Sequence, residues 1–196
     1  MPIGRWALET AAAQVGVWQG MAGHGRLDVA VNVSATQLAH RDLVDAVEAI
    51  AGGAVLAPGT LTLELTESVL LVDVATARRH LEELRALGAR LALDDFGTGS
   101  SSLTYLRRFP VEVVKLDRSF VEGVPHEPED TAILRAVVEL AAALGKDCVA
   151  EGIETEEQLV ALAGMGCRWG QGNLFSEPLP PDELERLLRG EVAERT

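Results

Sequence analysis

Leu91-Ala92-Leu93-Asp94, preceded by Gly88 and followed by Asp95-Phe96-Gly97, is the stretch from which the fold is read. Side chains alternate faces along a strand, so Asp94 shares a face with Ala92, while Leu91 and Leu93 take the other. The same design recurs outward in both directions. Strand-like runs at Val29-Ala30-Val31-Asn32-Val33, Leu61-Thr62-Leu63-Glu64-Leu65, Val111-Glu112-Val113-Val114-Lys115, Cys148-Val149-Ala150-Glu151 and Arg168 to Phe175 complete a set of six. Each carries a polar group at or near its C-terminal end: Asn32, Glu64, Asp94, Lys115, Glu151 and Gln171. Two residues before these stand Ala30, Thr62, Ala92, Val113, Val149 and Trp169, whereas the opposite phase holds Val29, Val31, Leu61, Leu63, Leu91, Leu93, Val114 and Leu116.

Between the runs lie amphipathic stripes: Leu81, Leu84 and Leu87; Leu134, Val137, Val138, Ala141 and Leu144; Leu159, Leu162 and Ala163; Leu184, Leu187 and Leu188. Their i, i+3, i+4 spacing predicts helices with one buried face. Gly88 and Gly145 stand where helices end, directly before the next strand. Strand and helix in alternation predict an α/β fold with a parallel sheet. An open doubly wound sheet also places ligands at its strand ends. A polar tip on every strand, however, is what a TIM-like (β/α) barrel supplies at its C-terminal mouth. A barrel of about 250 residues uses about 31 per unit, so this chain holds roughly six of eight strand–helix units.

Composition narrows the functions. Of 196 residues, 47 % are apolar and 24 % charged, with 17 basic against 30 acidic side chains and a formal charge of −13. That is globular composition, and one domain over residues 1–196 is the expectation at this length. The acidic balance excludes a surface built to coat DNA, which needs clustered Lys and Arg. No apolar stretch reaches the roughly 20 residues of a membrane span, and the N-terminus has no secretory pattern. The two cysteines, Cys148 and Cys167, form neither a disulfide framework nor a zinc-binding spacing. A cytoplasmic domain is expected.

The strand-end residues make a chemical argument. Glu64, Asp94, Asp95 and Glu151 would converge with Lys115 as the nearby cation. Two carboxylates about 4 Å apart repel by roughly 4 kcal/mol at an effective dielectric of about 20. Such a group calls for protons or a bound cation. Oxygen-only donors, the Asn32 amide included, favour Mg²⁺ or Mn²⁺ over zinc. A pair of such ions polarises a phosphoryl oxygen and lowers the pKa of bound water.

Six segments carry a family resemblance: Asn32-Val33-Ser34, Glu64-Leu65-Thr66-Glu67-Ser68, Asp94-Asp95-Phe96-Gly97-Thr98-Gly99, Lys115-Leu116-Asp117-Arg118-Ser119-Phe120, Glu151-Gly152-Ile153-Glu154-Thr155, and Gln171-Gly172 through Phe175-Ser176-Glu177-Pro178. In this order and spacing they resemble the EAL-domain phosphodiesterases, bacterial proteins that cleave cyclic di-GMP to linear pGpG. The resemblance implies that Asn32, Glu64 and Asp94 bind a first metal. Asp94 would bridge to a second that also uses Asp95, with Lys115 on the nucleophilic water and Glu151 and Gln171 in the metal and water network. Glu67 is similar to the glutamate that anchors the loop after Asp95, and Glu154 to one that orients the site from behind. The loop from Phe96 to Ser102 would couple the site to a dimer interface; its Ser100 stands where the family commonly has an aromatic residue.

One family feature is absent. No Glu-Ala-Leu tripeptide occurs, and Trp6-Ala7-Leu8-Glu9 resembles the helix that follows the strand bearing it. The resemblance therefore implies an N-terminally incomplete EAL-type domain, lacking two strands, a ligand glutamate and a phosphate-binding arginine. Such a chain is expected to be association-prone and weak in hydrolysis. Two functions remain open: a metal-dependent cyclic di-GMP hydrolase, or an inactive module that binds cyclic di-GMP or a protein partner. Either is expected to work as a homodimer under an upstream sensor or regulatory domain. His24, His40, His80 and His126 are expected on the surface or in loops, and Cys148 as a small buried hydrophobe. The segment Pro125 to Asp130 is read as a loop.

Overall fold

The computed structural model describes residues 2–21, 27–53, 56–67, 69, 74–97 and 106–190. They form two compact units, one of the described residues up to 93 with 106–111, the other of residues 94–97 with 112–190.

The first unit opens with helix α1 (Pro2–Gln19), which buries Leu8, Ala12 and Val15 at helical spacing. The Trp6-Ala7-Leu8-Glu9 segment lies inside it, as expected. Strand β1 (Val29–Asn32) pairs in parallel with β2 (Leu61–Thr66), in a register that sets Val29 beside Leu61 and Asn32 beside Glu64. Between them run two helices. In α2 (Ala35–Ala39) Ser34 and Gln37 form a reciprocal capping box, so the serine of the Asn-Val-Ser motif has a structural task. Helix α3 (Asp42–Gly52) carries Asp42 and Asp45 in its first turn, where carboxylates suit the positive helix end. Helix α4 (Val74–Ala86) buries Ala77, Leu81 and Leu84. It gives way at Gly88, whose φ of +92° only glycine adopts without strain.

His80 corrects the expectation of a surface histidine. It is 4 % exposed on α4, and its Nδ1 donates to the Leu38 carbonyl at 2.7 Å. The last carbonyls of a short helix lack partners within it. The imidazole, sited on the buried face of α4, supplies one for α2. His40 and His126 are exposed, the latter 3.1 Å from Glu157, and His24 lies outside the described residues.

Strand β3 (Arg90–Phe96) runs from the first unit into the second. The second unit continues with β4 (Val113–Leu116), the short helix α5 (Arg118–Val121), α6 (Pro128–Ala143), β5 (Asp147–Ala150), α7 (Glu156–Gly164), β6 (Trp169–Gly170) and α8 (Pro181–Leu188). Strands β4 and β5 pair in parallel, as do β5 and β6. Helix α6 begins inside the segment expected to be a loop. Pro128 at its first turn lacks only an N–H that would be unpaired anyway, and Glu129 and Asp130 follow. Strand β6 is two residues long rather than the eight expected. Beyond it the chain folds onto Ile153, whose N–H donates to the Gln171 carbonyl (3.1 Å) and whose carbonyl accepts from Leu174 N (3.0 Å).

Of the aliphatic phase, Leu61, Leu63, Leu91, Leu93, Val114 and Leu116 are buried, whereas Val29 and Val31 on β1 are half-buried. The opposite phase is uneven, with Ala92 and Val113 buried but Ala30 exposed and Trp169 59 % exposed. Leu144, placed by its spacing in the α6 stripe, caps that helix and is 47 % exposed. Cys148 and Cys167 are free and buried, and the Cys167 thiol donates to the Cys148 carbonyl at 3.6 Å. Side-chain hydrogen bonding with Cys167, and then burial, pushes the Cys148 thiol well above its ordinary pKa. Among the described residues no helix is long and apolar enough to cross a membrane.

Replacing His80 by Leu keeps the bulk and strands the Leu38 carbonyl. Stability should fall by about 1–3 kcal/mol, read as a lower urea midpoint at unchanged slope.

Candidate active site

The second unit gathers four of the residues singled out by sequence. Asp94 lies near the end of β3, Lys115 on β4, and Glu151 one residue beyond β5. The Lys115 ammonium sits 2.9 Å from Asp94 Oδ1 and 2.6 Å from Glu151 Oε1, with Lys115 only 6 % exposed. A buried ammonium is tolerable when carboxylates face it, and these do so from two separate elements.

Asp95 follows Asp94 in the strand, and alternation would turn the two carboxylates to opposite faces. Instead Asp95 adopts φ +53°, a left-handed conformation in which aspartate is among the few tolerated non-glycine residues. One carboxylate oxygen each from Asp94, Asp95 and Glu151 then lies within 4.8 Å of the others. The three acids and Lys115 carry a formal charge of −3 + 1 = −2, which one divalent cation balances. The buried Asp94 Oδ1 has the ammonium beside it but no aligned hydrogen bond. All donors are oxygen, so the cluster fits a hard ion such as Mg²⁺ or Mn²⁺.

The remaining candidates divide between the two units. In the first, Asn32 is exposed at the end of β1, in register with Glu64, which is 8 % exposed on β2. Glu67, just past β2, is equally buried, while the loop residues 98–102, Ser100 among them, lie outside the described residues. In the second, Gln171 is exposed just after β6, its backbone N–H donating to the Ala150 carbonyl at 2.8 Å. Glu154 stands 3.7 Å from the Arg118 guanidinium, exposed and reaching α5. Asp117 caps α5 by accepting from the Ser119 N–H at 3.0 Å, and the Ser119 hydrogen bonds hold its carboxyl below the usual range.

Gln158 escaped the reading of the sequence. It is 8 % exposed at the start of α7 and joins the turn after Glu151 to α5. The signal was present as Thr155-Glu156-Glu157-Gln158, the Ser/Thr-x-x-Glu/Gln pattern of a capping box.

A family model for the EAL domain matches residues 1–178. The bifunctional diguanylate cyclase/cyclic di-GMP phosphodiesterase MucR of Pseudomonas aeruginosa is 42 % identical over 182 residues, 93 % of this chain and 26 % of MucR. The cyclic di-GMP phosphodiesterase NbdA of the same organism is 46 % identical over 169 residues, 86 % of this chain and 22 % of NbdA. The chain thus spans about a quarter of the length of these curated relatives. Among solved structures, the EAL domain of Mycobacterium smegmatis DcpA superposes with a TM-score of 0.90 at 42 % identity, covering 96 % of this chain and 85 % of that one. The fold is accordingly α/β, of the TIM-like (β/α) barrel class, and the chain belongs to the EAL domain family.

Proposed function

We propose that this chain hydrolyses cyclic di-GMP to linear pGpG in a reaction that depends on Mg²⁺ or Mn²⁺ held in a two-metal site. The observation that carries the reading is the convergence of Asp94, Asp95 and Glu151, two of which hold the Lys115 ammonium. Membership of a family whose curated relatives include cyclic di-GMP phosphodiesterases supports the substrate.

In this reading Asp94, Asp95 and Glu151 hold divalent metal, with Asn32 and Glu64 proposed as further oxygen ligands from their motif positions. The metal, when bound, supplies positive charge to a phosphoryl oxygen and lowers the pKa of water. Lys115 Nζ orients the attacking water, and Gln171 joins its hydrogen-bond network. The new bond runs from water oxygen to phosphorus, the P–O3′ bond breaks, and a proton ends on O3′. Glu67 and Glu154 support the ligands rather than touching the reacting atoms. The proposed setting is the cytoplasm, as a homodimer under a sensor or regulatory domain.

Titrating Mn²⁺ or Mg²⁺ should raise the melting temperature, because a ligand bound only by the folded state stabilises it. Asp94→Asn should blunt that response most, and a wild-type curve that ignores both ions would count against the site. Asp95 separates fold from function. Without metal, Asp95→Gly should be more stable than Asp95→Ala by about 1 kcal/mol, since only glycine sits at φ +53° without cost. Both variants should weaken the metal response to the same degree, and less than Asp94→Asn does, as calorimetry in the two conditions will show.

Lys115→Ala should keep metal binding while turnover of cyclic di-GMP falls about 100-fold or more. The assay is chromatographic detection of pGpG beside isothermal titration with Mn²⁺. Retained turnover would remove Lys115 from the mechanism, and no pGpG from wild type with either metal would overturn the hydrolase reading.

A further inference from the structure

We propose that Gln158 is a positioning residue for the carboxylate cluster: it locks the turn of residues 151–155, which begins with Glu151, onto helix α5, which follows Lys115. The proposal deepens the hydrolase reading and rests on the cluster being its reacting centre.

The need for such a lock follows from the strand pairing. The β4–β5 ladder ends where Leu116 stands beside Ala150, and Glu151 lies one residue past it, its N–H donated to the Leu116 carbonyl at 3.1 Å. Past this point the ladder no longer sets the backbone of the turn whose first residue pairs with Lys115 at 2.6 Å. The Gln158 side chain spans the two segments. Its Oε1 accepts from Glu154 N (2.8 Å) and Thr155 N (3.1 Å), and its Nε2 donates to the Val121 carbonyl (3.2 Å). A side-chain amide offers an acceptor oxygen and two N–H groups, so both ends are engaged. A capping box needs only the acceptor end, where it meets Thr155 N. The donor end reaches a different helix, 37 residues away in sequence.

Two neighbouring contacts follow the same path. The Arg118 stem lies over Gly152, where an added Cβ would come within 2.7 Å of Arg118 Cγ and where φ is +70°. Its guanidinium faces Glu154 at 3.7 Å, but both side chains are exposed and such pairs contribute little. Ile153 N donates to the Gln171 carbonyl, which attaches the turn to the segment after β6. Gln158 is buried and bonded at both ends, and its bond to the Val121 carbonyl lies in the interior, where a hydrogen bond is electrostatically stronger than in water.

The test compares the 196-residue chain with Gln158→Met, Gln158→Glu and Thr155→Ala, using amide hydrogen exchange and Mn²⁺ affinity from water-proton relaxation. Thr155→Ala removes the hydroxyl that accepts from Gln158 N at 3.2 Å and leaves the lock, so faster exchange should stay in the first turn of α7. Gln158→Met should speed exchange about tenfold or more at Glu154 and Thr155 and also at Glu151 and Ile153. It should weaken Mn²⁺ binding by about tenfold or more, the usual effect of losing a group that orients a ligand. Gln158→Glu keeps the acceptor and loses the donor to Val121. Protection should return at Glu154 and Thr155, but not at Glu151, and affinity should stay low. If Gln158→Met disturbs only Glu154, Thr155 and α7 while Mn²⁺ binds as in wild type, Gln158 is a helix cap and the proposal falls. Should Gln158→Met fail to fold, the contrast between Gln158→Glu and Thr155→Ala decides in the same way. If wild type binds no Mn²⁺, the metal reading fails by itself, and exchange at Glu151 and Ile153 still judges the lock.

Discussion

The second unit is organised around one ammonium. Lys115 is 6 % exposed, and desolvating its charge is compensated by Asp94 and Glu151 at 2.9 and 2.6 Å. The same ion makes it tolerable for those carboxylates to share a small volume with Asp95. The three attachment points belong to β3, β4 and the turn after β5, so one charge records the relative placement of three chain segments. Remove the cation and like-charge repulsion, roughly 4 kcal/mol for a pair about 4 Å apart at an effective dielectric of about 20, acts against the fold.

Much of this was legible in the chain itself. The apolar runs ending in one polar residue located all six strands, and their alternate phase correctly assigned Leu91, Leu93, Val114 and Leu116 to the buried side. Period-2 alternation is a strong signal because a one-residue slip reverses every side chain. Where the reading went astray, a local rule was overridden by tertiary contact. Arg168 to Phe175 reads as strand, yet pairing stops at Gly170 because the backbone beyond it is hydrogen-bonded to Ile153. His80 has no apolar signature, and its burial depends on a carbonyl contributed by α2, 42 residues earlier. Nothing local to position 80 announces that partner.

Asp95 marks the limit of pattern reading in another way. Alternation sends adjacent residues to opposite faces, and a left-handed φ at the second of them cancels that rule. Motif resemblance named Asp95 as a ligand, but periodicity alone would have turned it away from Asp94. Violations of local preference concentrate where a chain does chemistry, because the conformation that suits the site is rarely the one that suits the backbone. Gln158 is the reverse case. Its local rule, the capping box, is obeyed, and the second task of the same amide is visible only once Val121 has been brought beside it.

Gly172 shows how a residue without functional groups becomes irreplaceable. Any Cβ there would collide with the Ile153 backbone, and main-chain atoms, unlike the end of a long side chain, have nowhere to rotate. The Gln-Gly pair after β6 thus sets a residue proposed to serve the water network beside one whose requirement is geometric. A saturation screen scored on loss of activity would rank position 172 with the proposed metal ligands, although it has no side chain to offer metal or substrate. Intolerance to substitution in this segment therefore measures how closely two stretches of main chain approach, and it identifies a chemical group only where a side chain exists to supply one.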